Sequence, residues 1–159
     1  MPELLSPSAQ KVQDALHEFG LDLTVLELPA STRTAVEAAL AVGCDVGQIV
    51  KSLVFRGKHS SIPVLILVSG SNRVNEQTVA QVLGEPIGKA DADFVRQHTG
   101  FVIGGVPPVG HSEKLRTLMD EDLLQYDQIW AAAGTPHALF QLQAQDLLKI
   151  SAALLCKIT

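Results

Sequence analysis

The sequence predicts an α+β fold, a mixed α/β architecture in which a curved, mixed and largely antiparallel sheet carries packed helices. Three observations lead there. Apolar residues recur with helical spacing in some segments and with strand alternation in others, so both element types are present. Several strand candidates are joined by connections too short for a crossover helix, which favours antiparallel pairs. Finally, 159 residues with 47% hydrophobic side chains suffice for one domain, spanning 1–159, with its own core.

The elements follow in order. Ser6 or Ser8 caps a first helix in which Val12, Ala15, Leu16 and Phe19 share a face, and Gly20 ends it. Leu21–Leu28 alternates like a strand until Pro29. Thr34 and Glu37 have the spacing of a capping box for a helix to Val42, with Gly43 beyond. Ile49–Phe55 and Pro63–Ser69, joined by the polar Arg56–Ser61 turn, read as a hairpin. Asn75 caps a helix to Leu83, with Gly84 as its stop. Ile87–Ala90 is a short strand, Asp91 opens a helix to about His98, and Phe101–Ile103 reads as a strand entering a Gly/Pro loop. Lys114–Met119, Gln128–Ala133 and Ala138–Leu142 are further strands, the first two separated by a turn of Asp and Glu. Gln145–Ala153 closes the chain as a helix.

Composition narrows the function classes. With 18% charged residues the chain is neither disordered nor fibrous, and its apolar stretches, such as Ile62–Val68, are far short of the ~20 residues of a membrane helix. Met1-Pro2-Glu3-Leu4-Leu5 carries no basic run before an apolar one, so a cytoplasmic protein with no membrane partner is expected. A net charge of −5 opposes a long phosphate grip on nucleic acid, though not a pocket for its end. Cys44 and Cys156 form no close pair, and the five histidines show no HExxH or other ligand spacing. No metal and no cofactor are therefore expected.

Three places can carry chemistry. Lys51 shares a strand face with Ile49, Leu53 and Phe55. Such a lysine either packs its stem at a sheet margin with its head in water, or stands in a pocket awaiting negative charge. Gly104-Gly105-Val106-Pro107-Pro108-Val109-Gly110 brings backbone N–H groups close to a ligand, or merely turns a corner. It is no P-loop, because no Gly-Lys-Ser/Thr follows. In Gly134-Thr135-Pro136-His137 the histidine can orient a water or stay solvated, an ambiguity shared by His98 and His111. Ser69-Gly70-Ser71-Asn72-Arg73 lacks the G-x-S-x-G elbow of a serine hydrolase.

Together, Gln48–Phe55, Thr99–Gly110 and Ala132–His137 resemble the YbaK/aminoacyl-tRNA deacylase family, which includes the editing domain inserted in bacterial prolyl-tRNA synthetases. The resemblance runs from about Thr34 to Ala153. It implies metal-free hydrolysis of mischarged aminoacyl-tRNA in trans, most often tRNA for proline carrying cysteine, alanine or another small residue. The family's lysine matches Lys51, and its GxxxP substrate loop matches Gly104, Gly105, Val106, Pro107 and Pro108, with Gly134, Thr135, Pro136 and His137 beside it. The implied partner is the acceptor end of an aminoacyl-tRNA, with a synthetase as a further candidate and Lys58, Arg73, Lys89 and Lys114 as outer contacts. The Gly-Thr-Pro-His loop and the Pro107-Pro108 pair depart from the cysteine-specific branch. Rigid prolines beside small glycines suggest a size filter, and valine at Gly104 or Gly105 is expected to abolish deacylation while leaving the fold intact. Two other readings stand beside this one: a non-catalytic aminoacyl-tRNA or synthetase-binding module, and a hydrolase of free amino-acid esters.

Overall fold

The computed structural model describes residues 4–159, so Met1-Pro2-Glu3, part of the stretch read above for a leader, lies outside the described residues. Its helices are α1 (Pro7–Glu18), α2 (Ala35–Val42), α3 (Glu76–Leu83), α4 (Ala92–Thr99) and α5 (Ala144–Ser151). The strands are β1 (Val25–Glu27), β2 (Ile49–Gly57), β3 (Pro63–Ser69), β4 (Ile87–Lys89), β5 (Arg116–Asp120), β6 (Gln128–Ala132), β7 (Ala138–Gln143) and β8 (Leu154–Cys156). They form one sheet in the order β1-β7-β6-β2-β3-β5-β8, with β4 added to β2. The pairs β1–β7, β2–β3, β2–β4 and β6–β7 are antiparallel, while β2–β6, β3–β5 and β5–β8 are parallel. The sheet is mixed, as expected.

The continuous apolar run of β3 shows where the core sits, since a strand reading Val-Leu-Ile-Leu-Val must be covered on both faces. Leu65 and Leu67 pack with Ala9, Val12 and Leu16 of α1 and with Leu147 and Ile150 of α5. Val64, Ile66 and Val68 face the other way, onto Val79 of α3 and Ile158. A third cluster joins Ala38 and Ala39 of α2 to Ile49 and Leu139. Helices therefore flank the sheet on both sides.

Caps set the helix boundaries. Thr34 accepts from Glu37 N at 3.1 Å, Asn75 from Gln77 N and Thr78 N, and Asp91 from Phe94 N at 2.8 Å. Gly43, Gly84 and Gly100 end α2, α3 and α4 in the left-handed region.

Four expectations are corrected. Of Leu21–Leu28 only Val25–Glu27 is strand, because the Gln13 side chain bonds Leu23 O at 2.7 Å and Val25 N at 2.8 Å in place of a neighbouring strand. Phe101–Ile103 is not a strand: Thr99 Oγ1 accepts from Phe101 N at 3.0 Å, and Gly105 N closes a turn onto Val102 O at 3.0 Å. The acidic turn is a 3₁₀ helix, Glu121–Gln125, capped by Asp120. After α5 the chain does not stop as helix. Ala152 at φ 51° turns it into β8, parallel to β5.

One feature of the sheet positions the site. Strand β2 pairs with β3 from Val50 to Arg56 along one edge. Along the other it pairs with β6 at Ile49 and Val50 and with β4 from Phe55 to Gly57. Among the described residues no strand lies beside Lys51 to Val54 on that edge, so the sheet is split there.

Candidate active site

A cavity of about 560 Å³ opens at the split, within the usual range for small-ligand sites. Both faces of β2 reach it. Thr32–Ala35 at the start of α2 and the Ile103–Gly104–Val106 turn enclose it from the sides. Its surface is mainly aliphatic. Among the described residues the charged groups lining it are Arg33, Lys51 and Lys89, with no Asp, Glu, His or Cys. Such a wall favours an anionic or strongly polarised ligand set among apolar groups.

Lys51 reaches the cavity from β2. It is half-buried, and its Nζ donates to the Asn72 carbonyl at 2.5 Å. Burial holds its pKa below the ordinary 10.5, Arg73 pushes it the same way, and Asp120 opposes them. Asn72 is itself braced, its Nδ2 donating to Asp120 Oδ2 at 2.9 Å and Asp122 Oδ2 at 2.8 Å. Asp120, 1% exposed, also accepts from Ser69 N at 3.0 Å and Asp122 N at 2.9 Å. An ammonium has three donors, and one is spent on Asn72, leaving others for a ligand.

Of the Gly/Pro loop, Gly104 and Val106 line the cavity, while Gly105, Pro107 and Pro108 are buried behind them. The prolines therefore stiffen the support of the turn and are not themselves the cavity wall. His111 adds to that support through a 2.6 Å bond to Pro107 O, and burial lowers its pKa. The two glycines also separate. A Cβ on Gly105 would lie 2.8–2.9 Å from the backbone of Thr135, which cannot yield. One on Gly104 would meet the flexible Arg33 side chain at 2.8 Å, at a φ of +91°. Gly105→Val is therefore expected to destabilise the fold by about 2–3 kcal/mol, as overpacking does. Gly104→Ala is expected to fold with a smaller loss and to impair turnover. Thermal melts beside deacylation rates check the pair. The expectation that valine at either position spares the fold is thus corrected for Gly105.

Gly134, Thr135, Pro136 and His137 do not line the cavity; they buttress it. Gly134 N donates to Gly105 O at 2.8 Å, and Thr32 N donates to Pro136 O at 2.6 Å. His137 is exposed and bonds Ala30 O through Nδ1 at 3.0 Å. The loop thereby holds both the Gly105 turn and the segment that brings Thr32 and Arg33 to the cavity. His98 pairs with Glu113 at 2.7 Å, away from the lining, and Ser69 Oγ is spent on Gly47 O at 2.7 Å. Of the outer cations named from sequence, Lys89 lines the cavity.

Sequence reasoning missed Thr32, Arg33 and Ser52 as lining residues, and Asn72 and Asp120 as the brace of Lys51. For Ser52 a signal existed: a hydroxyl within an apolar strand beside the lysine. For the brace none did, because Lys51 and Asp120 are brought together only by the β2–β3–β5 register.

Residues 29–150 match the family model described as an aminoacyl-tRNA editing domain. A solved structure named "Crystal structure of a putative trans-editing enzyme for prolyl tRNA synthetase" is 52% identical, covers 98% of this chain and 99% of its own, and superposes with a TM-score of 0.92. An Enterococcus faecalis protein named "Putative Cys-tRNA(Pro)/Cys-tRNA(Cys) deacylase EbsC" is 24% identical over 127 residues, 79% of this chain and 77% of that one. Proline–tRNA ligase of Limosilactobacillus fermentum is 34% identical over 106 residues, 64% of this chain but 18% of the ligase.

Proposed function

Since the chain belongs to the aminoacyl-tRNA editing domain family, we propose that this deacylase acts in trans and without a metal on tRNA for proline carrying a small residue such as cysteine or alanine. The observation that carries this reading is the joining of Lys51 and the Gly104 turn in one aliphatic cavity at the split of the sheet. An aminoacyl ester needs no covalent intermediate; it needs placement and stabilisation of the oxyanion that develops on its carbonyl. Lys51 supplies positive charge where low dielectric strengthens it, and the backbone of the Gly104 turn, which lines the same cavity, adds an N–H donor. Among the described residues the lining offers no carboxylate, imidazole or thiol as general base. The attacking water or ribose hydroxyl therefore passes its proton to solvent or to the substrate's own groups.

The need for a separate deacylase follows from binding energetics. A synthetase pocket separates residues that differ by one methylene by only about 1–3 kcal/mol, and a second cavity that admits the smaller residue corrects the remainder. Arg33 and Lys89 at the cavity stand ready for phosphates of the single-stranded acceptor end. As one domain with net charge −5, the protein reaches few phosphates beyond them.

The test is deacylation of a panel of tRNAs, each carrying one wrong amino acid, by the purified protein. Rapid loss of a small residue from tRNA for proline is the expected result. Inactivity across the panel overturns the reading, and equal rates on free amino-acid esters favour an esterase with no RNA partner. In the same assay, log KM against log salt is expected to be shallow. A slope equivalent to about six or more phosphate contacts contradicts end-only binding.

A further inference from the structure

Two residues of the cavity wall carry a side-chain oxygen that is closed to solvent and has no partner among the described residues. Thr32 Oγ1 and Ser52 Oγ are buried and make no hydrogen bond among the described residues, although Thr32 is only 5% exposed. Both residues line the cavity. A buried hydroxyl left unpaired costs about 1–3 kcal/mol, so a well-packed cavity retains two of them at a standing loss unless a ligand satisfies them.

The main chain adds a third free group at the same place. Ile49 turns its carbonyl toward β3, accepting from Gly70 N at 2.7 Å, and Gly57 turns its N–H the same way, onto Ile62 O at 3.0 Å. Alternation along the strand then directs the N–H and C=O of Ser52 to the opposite edge. That is the stretch between the end of the β6 pairing at Val50 and the start of the β4 pairing at Phe55. The Ser52 carbonyl therefore faces the split with no strand to bond.

The charges decide what these acceptors are for. Among the described residues three cations line the cavity and no anion does. An aminoacyl-adenosine brings phosphate and a developing oxyanion, which the cations suit, and also one cation of its own, the α-ammonium. That group finds no carboxylate here, and the acceptors left uncommitted are neutral.

We infer that Ser52 and Thr32 form the amine subsite of this cavity, the Ser52 carbonyl and the two hydroxyl oxygens, once turned about χ1 toward the cavity, accepting hydrogen bonds from the α-ammonium of the bound aminoacyl group. This assignment rests on the deacylase reading and deepens it. It makes Ser52 and Thr32 positioning and specificity residues, which turn the ester carbonyl toward Lys51 and reject acyl groups that lack the amine.

The experiment uses two non-hydrolysable probes, 3′-deoxy-3′-(L-alanylamino)adenosine and its 3′-propionylamino counterpart, which lacks only the amine. Wild type is expected to bind the alanyl probe at least about tenfold more tightly by calorimetry, the scale of a hydrogen bond to a charged group. Ser52→Ala, Thr32→Val and the double variant are expected to close that gap by weakening the alanyl probe alone. Their melting temperatures are expected to stay level or rise, because each change removes an unpaired polar atom. Wild-type discrimination retained in the double variant overturns the inference, as does equal weakening of both probes or a lowered melting temperature. If wild type deacylates mischarged tRNA yet does not distinguish the probes, the subsite is wrong and the deacylase reading stands. If it neither deacylates nor binds either probe, both fall.

Discussion

Replacing Lys51 by alanine, or by methionine to keep the stem, is expected to lower kcat for deacylation by about 10²–10³-fold, the usual cost of losing a principal oxyanion-stabilising group. The melting temperature is expected to hold. The half-buried ammonium is held off its ordinary pKa by burial, so its removal relieves a desolvation cost while giving up one bond to the Asn72 carbonyl. RNA binding is expected to survive, because Arg33 and Lys89 remain at the cavity. That combination separates an enzyme from a binding module: lost turnover with retained binding belongs to the first, unchanged turnover to the second. The pH profile gives an independent check. The charged form does the work and its pKa lies below 10.5, so the Lys51-dependent part of the rate falls as pH rises, beginning sooner than an unperturbed lysine would allow. The alanine variant is expected to lack this fall.

Asp120→Ala is expected to have the largest effect on stability, about 3 kcal/mol. The carboxylate is buried and accepts from Ser69 N, Asn72 Nδ2 and Asp122 N, and alanine strips all three donors of their acceptor at once. The same change reaches the active site. Without Asp120, Asn72 keeps one carboxylate contact, to Asp122, and the carbonyl that holds Lys51 Nζ is freed to drift. The folded fraction of the variant is therefore expected to show a reduced kcat with KM nearly unchanged. Chemical denaturation followed by kinetics at a temperature where the variant is folded measures both. A variant that melts like wild type shows that the buried carboxylate is not the brace described here.

Much of the fold could be read locally. Helices α2, α3 and α4 announce themselves through Thr34, Asn75 and Asp91 at their starts and through glycines just past their ends, because caps and left-handed stops depend on a few adjacent residues. The β2–β3 hairpin follows from two apolar runs about a short polar turn. What escaped local reading was decided by partners far along the chain. Gln13 replaces a strand beside Leu23 and Val25, and β8 exists only because β5 offers it an edge.

The same division runs through the site. From the sequence alone came the lysine strand, the Gly104 turn and the membership they imply, since each is a short run whose residue types carry their own constraint. Only the tertiary structure decided which of these residues meet. It set Gly104 and Val106 in the cavity with Lys51, moved Pro107, Pro108 and His137 into its support, and brought Thr32, Arg33 and Lys89 into its lining. The physical reason is that a cavity is a shortfall in pairing. β6 stops beside Val50 and β4 starts beside Phe55, and the register of three separate strands, not the composition of any one, leaves β2 open between them.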